Sequence, residues 1–243
     1  MERMINENFK VDCILTSPPY NTVRVGKSYM SQKARDKGYG RYDIYSEFET
    51  NQEYIDWTIQ LFQLFDKILC ENGVIIYNLS YGGENTEVMW RTVYNILEHT
   101  PFTIGDNIIW KKKSAMPNST SHNKLTRLCE YIYVFVRKTE DETYHSNKKI
   151  SKVGENGQTY YQNIFNFIEA PNNDGANKLN KATWSTDLCK QLLNLYVKEK
   201  SIVYDPFMGT GTTGISSKKL NRNFIGIEKD KDYFEYAKER MDL

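Results

Sequence analysis

The sequence has no run approaching the ~18 consecutive apolar residues of a membrane span, which excludes an integral membrane protein. The N-terminal segment MERMINENFKVD lacks an apolar signal core followed by a small-residue cleavage site. Secretion is therefore not expected, and a cytoplasmic location is. Cysteine is scarce. Cys13, Cys70, Cys129 and Cys189 lie far apart, with no CxxC pair and no nearby histidine, so reduced, mostly buried thiols are expected and a zinc site is not. The three histidines, His99, His122 and His145, are equally scattered, and no metal site is expected. Internal repeats and low-complexity tracts are absent. An excess of either charge is also missing: 32 Lys plus Arg stand against 31 Asp plus Glu, for a formal charge of +1. That sum is an average over unlike regions. Segments 21–41 and 111–127 are basic, while 42–56 and 139–142 carry cancelling acids. A near-neutral total thus does not exclude an acidic partner.

What is present is enough chain for a sizeable core, 243 residues, in an alternation of strand and helix patterns. VDCILT (11–16) is an apolar run ended by Ser-Pro-Pro. Residues 51–70 carry Ile55, Ile59, Phe62, Phe65 and Leu69 at helical spacing, and Asn-Gly at 72–73 predicts the stop. GVIIYNLS follows as a strand, 84–98 as an amphipathic helix, and IGDNIIW and EYIYVFVR (130–137) as two more strands. Residues 183–197 predict a third helix. IVYDP (202–206), a glycine turn, a helix over 212–220, NFIGIE (223–228) and a closing helix complete the series. Near-continuous apolar strands alternating with helices indicate an α/β fold, a mostly parallel sheet covered on both faces. Two long polar segments interrupt it. One is 21–47; the other is 138–181, with Tyr160, Tyr161, Phe165 and Phe167 at its centre. Loops of this length are often functional.

Two motifs carry chemistry. In Asp205-Pro-Phe-Met-Gly-Thr-Gly-Thr-Thr-Gly214, the glycines 209, 211 and 214 satisfy GxGxxG between a strand and a helix. That spacing lets backbone approach a ligand at a helix N-terminus. Glu228 closes the next strand, where a carboxylate can accept from ribose hydroxyls. Together these features point to a nucleoside-cofactor site; a tight turn with no ligand uses the same glycines. Such a fingerprint normally opens its domain, yet here it lies near the C-terminal end of the chain, so the order is permuted relative to a dehydrogenase. The second motif, Thr16-Ser-Pro-Pro-Tyr-Asn21, ends the first strand. Its prolines leave carbonyl acceptors without donors, Ser17 adds an acceptor and Tyr20 a flat face. This suits the exocyclic amine of a flipped base, although a rigid surface turn reads the same way.

With SPPY first and the glycine loop second, the chain resembles the amino-group DNA methyltransferases of the beta motif order. IIWKKKSAMPN (108–118) and LTRLCEYIYVFVRK (125–138) are similar to that family's later catalytic strands. VYDPFMGTGTT and RNFIGIEKDKDYFEYAKERM are similar to its S-adenosylmethionine site. Lys181–Leu188 stands where the family has His-Pro-Ala-x-Phe-Pro. The His-Pro pair is replaced by Asn180 and Lys181, and the later proline by Ser185. The family also supplies a strand ahead of the catalytic one, so an edge of the sheet is expected to be missing or covered by a partner subunit.

The resemblance implies a Rossmann-like, permuted, doubly wound fold in one methyltransferase domain, 1–243. Within it, 139–180 would be an inserted target-recognition segment and 21–47 a DNA-contacting loop. It implies S-adenosylmethionine as cofactor and double-stranded DNA as partner, and it admits a homodimer and a cognate restriction endonuclease. Ser17, Pro18, Pro19 and Tyr20 would be catalytic. The Pro18 carbonyl and Ser17 hydroxyl would hold the amine while Tyr20 stacks on the base. Asp205, Phe207, Gly209, Gly211, Thr212, Thr213, Glu228 and Thr183 would bind the cofactor, the two threonine hydroxyls reaching its carboxylate. Arg24, Lys27, Lys33, Arg35, Lys37 and Arg41, with Tyr29 and Tyr39 between them, would contact DNA. Lys111, Lys112 and Lys113, with Lys124 and Arg127, would form a second phosphate-binding patch. In this family SPPY leans toward N4 of cytosine and DPPY toward N6 of adenine. Adenine N6, an RNA substrate, a non-catalytic methyltransferase-like subunit and an NAD-linked oxidoreductase remain as alternatives; the last gives SPPY no role.

Overall fold

The computed structural model describes residues 1–21, 48, 50–81, 85–115, 117–119, 121–174 and 184–242. In chain order these form α1 (Glu2–Asn6), β1 (Val11–Thr16), α2 (Asn51–Ile68), β2 (Leu69–Leu79), α3 (Val88–His99), β3 (Phe102–Lys112) and β4 (Cys129–Arg137). There follow β5 (Ile150–Val153), β6 (Thr159–Tyr161), β7 (Phe167–Ala170), α4 (Thr186–Tyr196), β8 (Ile202–Asp205), α5 (Thr212–Lys219), β9 (Asn223–Gly226) and α6 (Lys231–Met241).

Seven strands make one sheet in the order β7-β3-β4-β2-β1-β8-β9. β4 pairs antiparallel with β2 and β3, and every other pairing is parallel. The mostly parallel sheet read from the sequence is the one observed, with the catalytic strand candidate β1 near its centre. Parallel strands put side chains of alternate residues into opposite layers, so both faces must be apolar. Cys13, Leu15, Val74, Ile76, Ile132 and Val134 face α4, packing on Leu188, Cys189, Leu192 and Leu193. Ile14, Ile75, Tyr77, Tyr133 and Phe135 face α2 and α3. The second layer centres on Phe62, whose ring lies 5.0–5.8 Å from those of Phe65, Tyr77, Phe102 and Phe135.

Two boundaries differ from expectation for identifiable reasons. Helix α2 begins at a capping box, with the Thr50 hydroxyl accepting from the Glu53 amide and the Glu53 carboxylate accepting from that of Thr50. It ends at Ile68, ahead of the Asn-Gly pair, because Leu69 is already extended and paired with Val11. Asn72 takes a positive φ of 57° inside β2, where the register with β1 shifts. The turn signal thus became a bulge. The helix expected from 183 starts at Thr186, where the Ser185 hydroxyl accepts the Leu188 amide. No helix among the described residues is long and apolar enough to cross a membrane.

Phe62→Ala empties the centre of the aromatic layer. It is expected to cost about 3–5 kcal/mol in equilibrium urea unfolding, against near-neutral change for exposed Gln63→Ala on the same helix.

Candidate active site

The carboxyl ends of β1 and β8 lie side by side, since these strands pair in parallel, and that edge carries both sequence motifs. Asp205, the last residue of β8, is 2% exposed. Its Oδ1 accepts from the Thr16 hydroxyl at 2.7 Å and the Phe207 amide at 3.0 Å, and its Oδ2 accepts from the Thr213 hydroxyl at 2.7 Å. One carboxylate therefore ties the end of β1, the start of the glycine loop and the first turn of α5. Burial pushes its pKa up from 3.8 to about 6; the three donors oppose that shift, and Glu228 adds to it.

The glycine loop is a turn only glycine accepts easily. Gly209 and Gly211 have φ of 52° and 81°, and a Cβ on Gly209 would meet nothing within 4 Å. Gly214 serves packing instead, because a Cβ there would lie 2.2 Å from the Met241 sulfur. Gly211 caps α5 without a side-chain acceptor, leaving the first amides of that helix available to a ligand. Glu228 is held by two amides, Gly209 N to Oε2 and Asp230 N to Oε1, each at 2.9 Å. A carboxylate has lone pairs left for further donors.

Between the motifs lies a cleft of roughly 620 Å³, counting its open mouth, lined by Pro19, Phe48, Trp57, Pro206, Phe207, Ile227, Glu228 and Lys229. Trp57 and Phe207 stand 5.7 Å apart, centroid to centroid. At that distance, and tilted by 55°, the two rings touch and form one aromatic wall, with the Glu228 carboxylate at the rim, against which a nucleoside could lie. The two threonine hydroxyls differ. Thr213 gives its hydrogen to Asp205, whereas Thr212 Oγ1 accepts from Arg240 at 3.4 Å and keeps its own hydrogen to donate; both residues are buried. Arg240 on α6 also donates to the Thr210 carbonyl at 2.6 Å, so it braces the loop.

At the other motif, Pro18 is buried and Ser17, Pro19 and Tyr20 are half-buried. The Tyr20 phenol oxygen lies 2.8 Å from Ser17 Oγ, receives the Asn78 amide at 2.5 Å and faces Glu130 Oε2 at 3.4 Å. Burial first, then the Glu130 charge, hold the Tyr20 phenol well above its usual pKa, so it is protonated at neutral pH. Asn21, the next residue, is pinned by Asn85, which donates to its carbonyl at 2.6 Å and to Asn51 on α2 at 2.7 Å.

Sequence reasoning missed Asn51, Asn78, Asn85, Glu130 and Arg240. Only two gave a signal: Asn78 and Glu130 are polar residues set in apolar strand patterns, which demands buried partners. Of the basic patch, Lys111 pairs with Glu169 at 2.6 Å, Lys112 pairs with Glu130, and Lys113 is exposed. Arg127 donates to the Tyr81 carbonyl at 2.9 Å and lies over that ring. Arg24, Lys27, Tyr29, Lys33, Arg35, Lys37, Tyr39, Arg41 and Thr183 lie outside the described residues.

The sequence model of one family, described as DNA methylase, N6 and N4 types, matches residues 11–239. The type II methyltransferase M2.LlaDCHI of Lactococcus lactis subsp. cremoris is 28% identical over 235 residues, spanning 95% of this chain and 82% of that protein. Among solved structures, the M1.HpyAVI–SAM complex is 26% identical with a TM-score of 0.62, covering 100% of this chain and 94% of the other. The cytosine-N4-specific PvuII DNA methyltransferase has the same fold, with a TM-score of 0.69 at 17% identity over 96% of this chain and 81% of its own.

The Asp205 carboxyl makes a pH prediction. Its folded pKa of about 6 exceeds its unfolded value of 3.8, so the folded chain binds a proton the unfolded chain releases between those values. Its contribution to stability is therefore present at pH 4 and lost as the pH rises through 6. Urea midpoints should show wild type losing about 2–3 kcal/mol relative to Asp205→Asn between pH 4 and pH 7. A constant difference across that range would contradict the assignment.

Proposed function

Because the chain belongs to the N6/N4 DNA methylase family and is an S-adenosylmethionine-dependent DNA methyltransferase, we propose that it methylates N4 of a cytosine flipped out of double-stranded DNA. The observation that carries this reading is the shared cleft. Pro19 of the SPPY turn and Pro206, Phe207 and Glu228 of the glycine-loop side line one cavity. A base amine held by the first motif then faces a methyl donor held by the second.

S-adenosylmethionine, when bound, supplies an electrophilic methyl group on a sulfonium. The rest of the work falls to the chain. Glu228 accepts from the ribose hydroxyls, and Phe207, with Trp57 beside it, covers the adenine. The loop at Gly209 and Gly211, with the open N-terminus of α5, receives the methionine end through backbone amides. Asp205, bound to three donors from β1, the turn after β8 and α5, sets the spacing between the two halves. The target amine is a poor nucleophile because its lone pair is delocalised into the ring. The Pro18 carbonyl and Ser17 hydroxyl accept its hydrogens and turn the lone pair toward the methyl, while Tyr20 stacks on the base. In-line displacement would then form the nitrogen–methyl bond as the methyl–sulfonium bond breaks, leaving the neutral thioether of S-adenosylhomocysteine while the amine's extra proton passes to solvent, and it would depend on positioning and electrostatics.

Ser17 favours cytosine in this reading because SPPY in this family leans toward N4 of cytosine and DPPY toward N6 of adenine. The loop at 21–47 and the segment at 139–180 supply DNA contacts. In the latter, β5 and β6 form a separate two-stranded ribbon exposing Tyr160 and Tyr161, with Lys152 5.0 Å from the Tyr160 ring. So short a recognition segment supports a homodimer that shares DNA contacts. A companion restriction endonuclease would fit the type II relatives.

Tritiated methyl transfer to DNAs of varied sequence, followed by nucleoside analysis, is expected to yield N4-methylcytosine; N6-methyladenine as sole product would replace the base assignment. Tyr20→Ala should lower transfer at least 100-fold while leaving cofactor affinity within about threefold, as calorimetry would show. Glu228→Ala should do the reverse, weakening cofactor binding by about tenfold or more.

A further inference from the structure

The Tyr20 hydroxyl sits in a network that stacking alone does not require. A ring that only covers a base offers its face, and a phenylalanine would do so equally well. Here the hydroxyl is held on three sides, by Ser17, Asn78 and Glu130. Asn78 is 1% exposed, and its amide nitrogen also donates to Glu130 Oε2 at 2.8 Å. Its Oδ1 has no partner among the described residues. Turning the amide over would place that oxygen against the Glu130 carboxylate, so the charge on Glu130 fixes which way Asn78 points. The remaining Glu130 oxygen is taken by Lys112, which lies 5.2 Å from the Trp110 ring. Glu130 and Lys112 come from neighbouring strands, and their side chains are only 12% and 23% exposed.

We propose that Asn78, Glu130 and Lys112 are positioning residues for methyl transfer. They clamp the Tyr20 phenol by its hydroxyl, and through it orient the Ser17 hydroxyl that receives the target amine. The clamp rests on the roles assigned above to Ser17 and Tyr20, and it goes beyond them in making the phenol oxygen, as well as the ring, part of the machinery. A ring held at both its backbone end and its far end cannot tilt, and a Ser17 hydroxyl tied to that phenol has a defined direction. The clamp also gives Lys112 a task other than phosphate binding.

The test is single-turnover methyl transfer on a DNA that wild type methylates. Tyr20→Phe, which keeps the ring and removes only the oxygen, is expected to slow transfer about tenfold with cofactor affinity unchanged. Glu130→Gln should slow wild type by a similar factor and slow the Tyr20→Phe enzyme less than twofold further, because both act through one oxygen. Lys112→Met should slow transfer while leaving the salt dependence of DNA binding as it was. Transfer by Tyr20→Phe at the wild-type rate would overturn the clamp, as would losses that multiply in the double variant. A drop of about one in the salt slope for Lys112→Met would assign that lysine to a phosphate and remove it from the clamp. These outcomes differ from failure of the underlying reading, in which wild type itself transfers no methyl or Tyr20→Ala remains active.

Discussion

The buried carboxylate of Asp205 is the contact on which the arrangement of this protein turns. Its three donors come from the end of β1, the turn after β8 and the first turn of α5. Thr16 immediately precedes the Ser-Pro-Pro-Tyr turn, and Thr213 follows the glycine loop. A single side chain thus sets the spacing between the part of the molecule proposed to hold a base amine and the part proposed to hold a methyl donor. Displacement chemistry rewards this kind of rigidity, because the reacting atoms must meet in line and small errors of placement are costly.

A second constraint is the antiparallel direction of β4. Six strands of the sheet run one way and deliver their last residues to the ligand-bearing edge; β4 delivers its first. Glu130, second in that strand, therefore arrives beside the Ser-Pro-Pro-Tyr turn. A buried carboxylate is costly unless paired and hydrogen-bonded, and Lys112 and Asn78 meet that requirement here. The alternation of side chains along β4 puts its neighbour Tyr131 on the opposite layer, where it meets Tyr81 and Trp90.

Local rules made much of this legible in the sequence. The apolar run 11–16 and the glycine loop with Glu228 after it are written in consecutive residues, and they reappear as β1 and as the loop between β8 and α5. What escaped was set by distant partners. Asn72-Gly73 has the chemistry of a helix stop, yet pairing with β1 overrode it and turned it into a bulge within β2. Arg240 lies in a polar helical pattern, and its grip on Thr210 depends on how α6 packs back. Thr213 has the place of a ligand-binding residue in the motif, and its hydroxyl hydrogen goes to Asp205 inside the protein. Residue type and spacing suggest which groups approach a ligand; only the packed structure says which of them are already engaged.

The pairing of β1 with β8 also bears on the birth of the protein. β1 leaves the ribosome long before β8, and one of its two hydrogen-bonding edges belongs to that later strand, which begins at Ile202. Until then β1 has an unpaired, apolar edge, the kind of surface that recruits foreign strands or chaperones. The carboxylate that organises the cleft is added at the same late moment. A nascent chain of this protein therefore has neither its cleft nor a closed β1 edge until β8 has been synthesised.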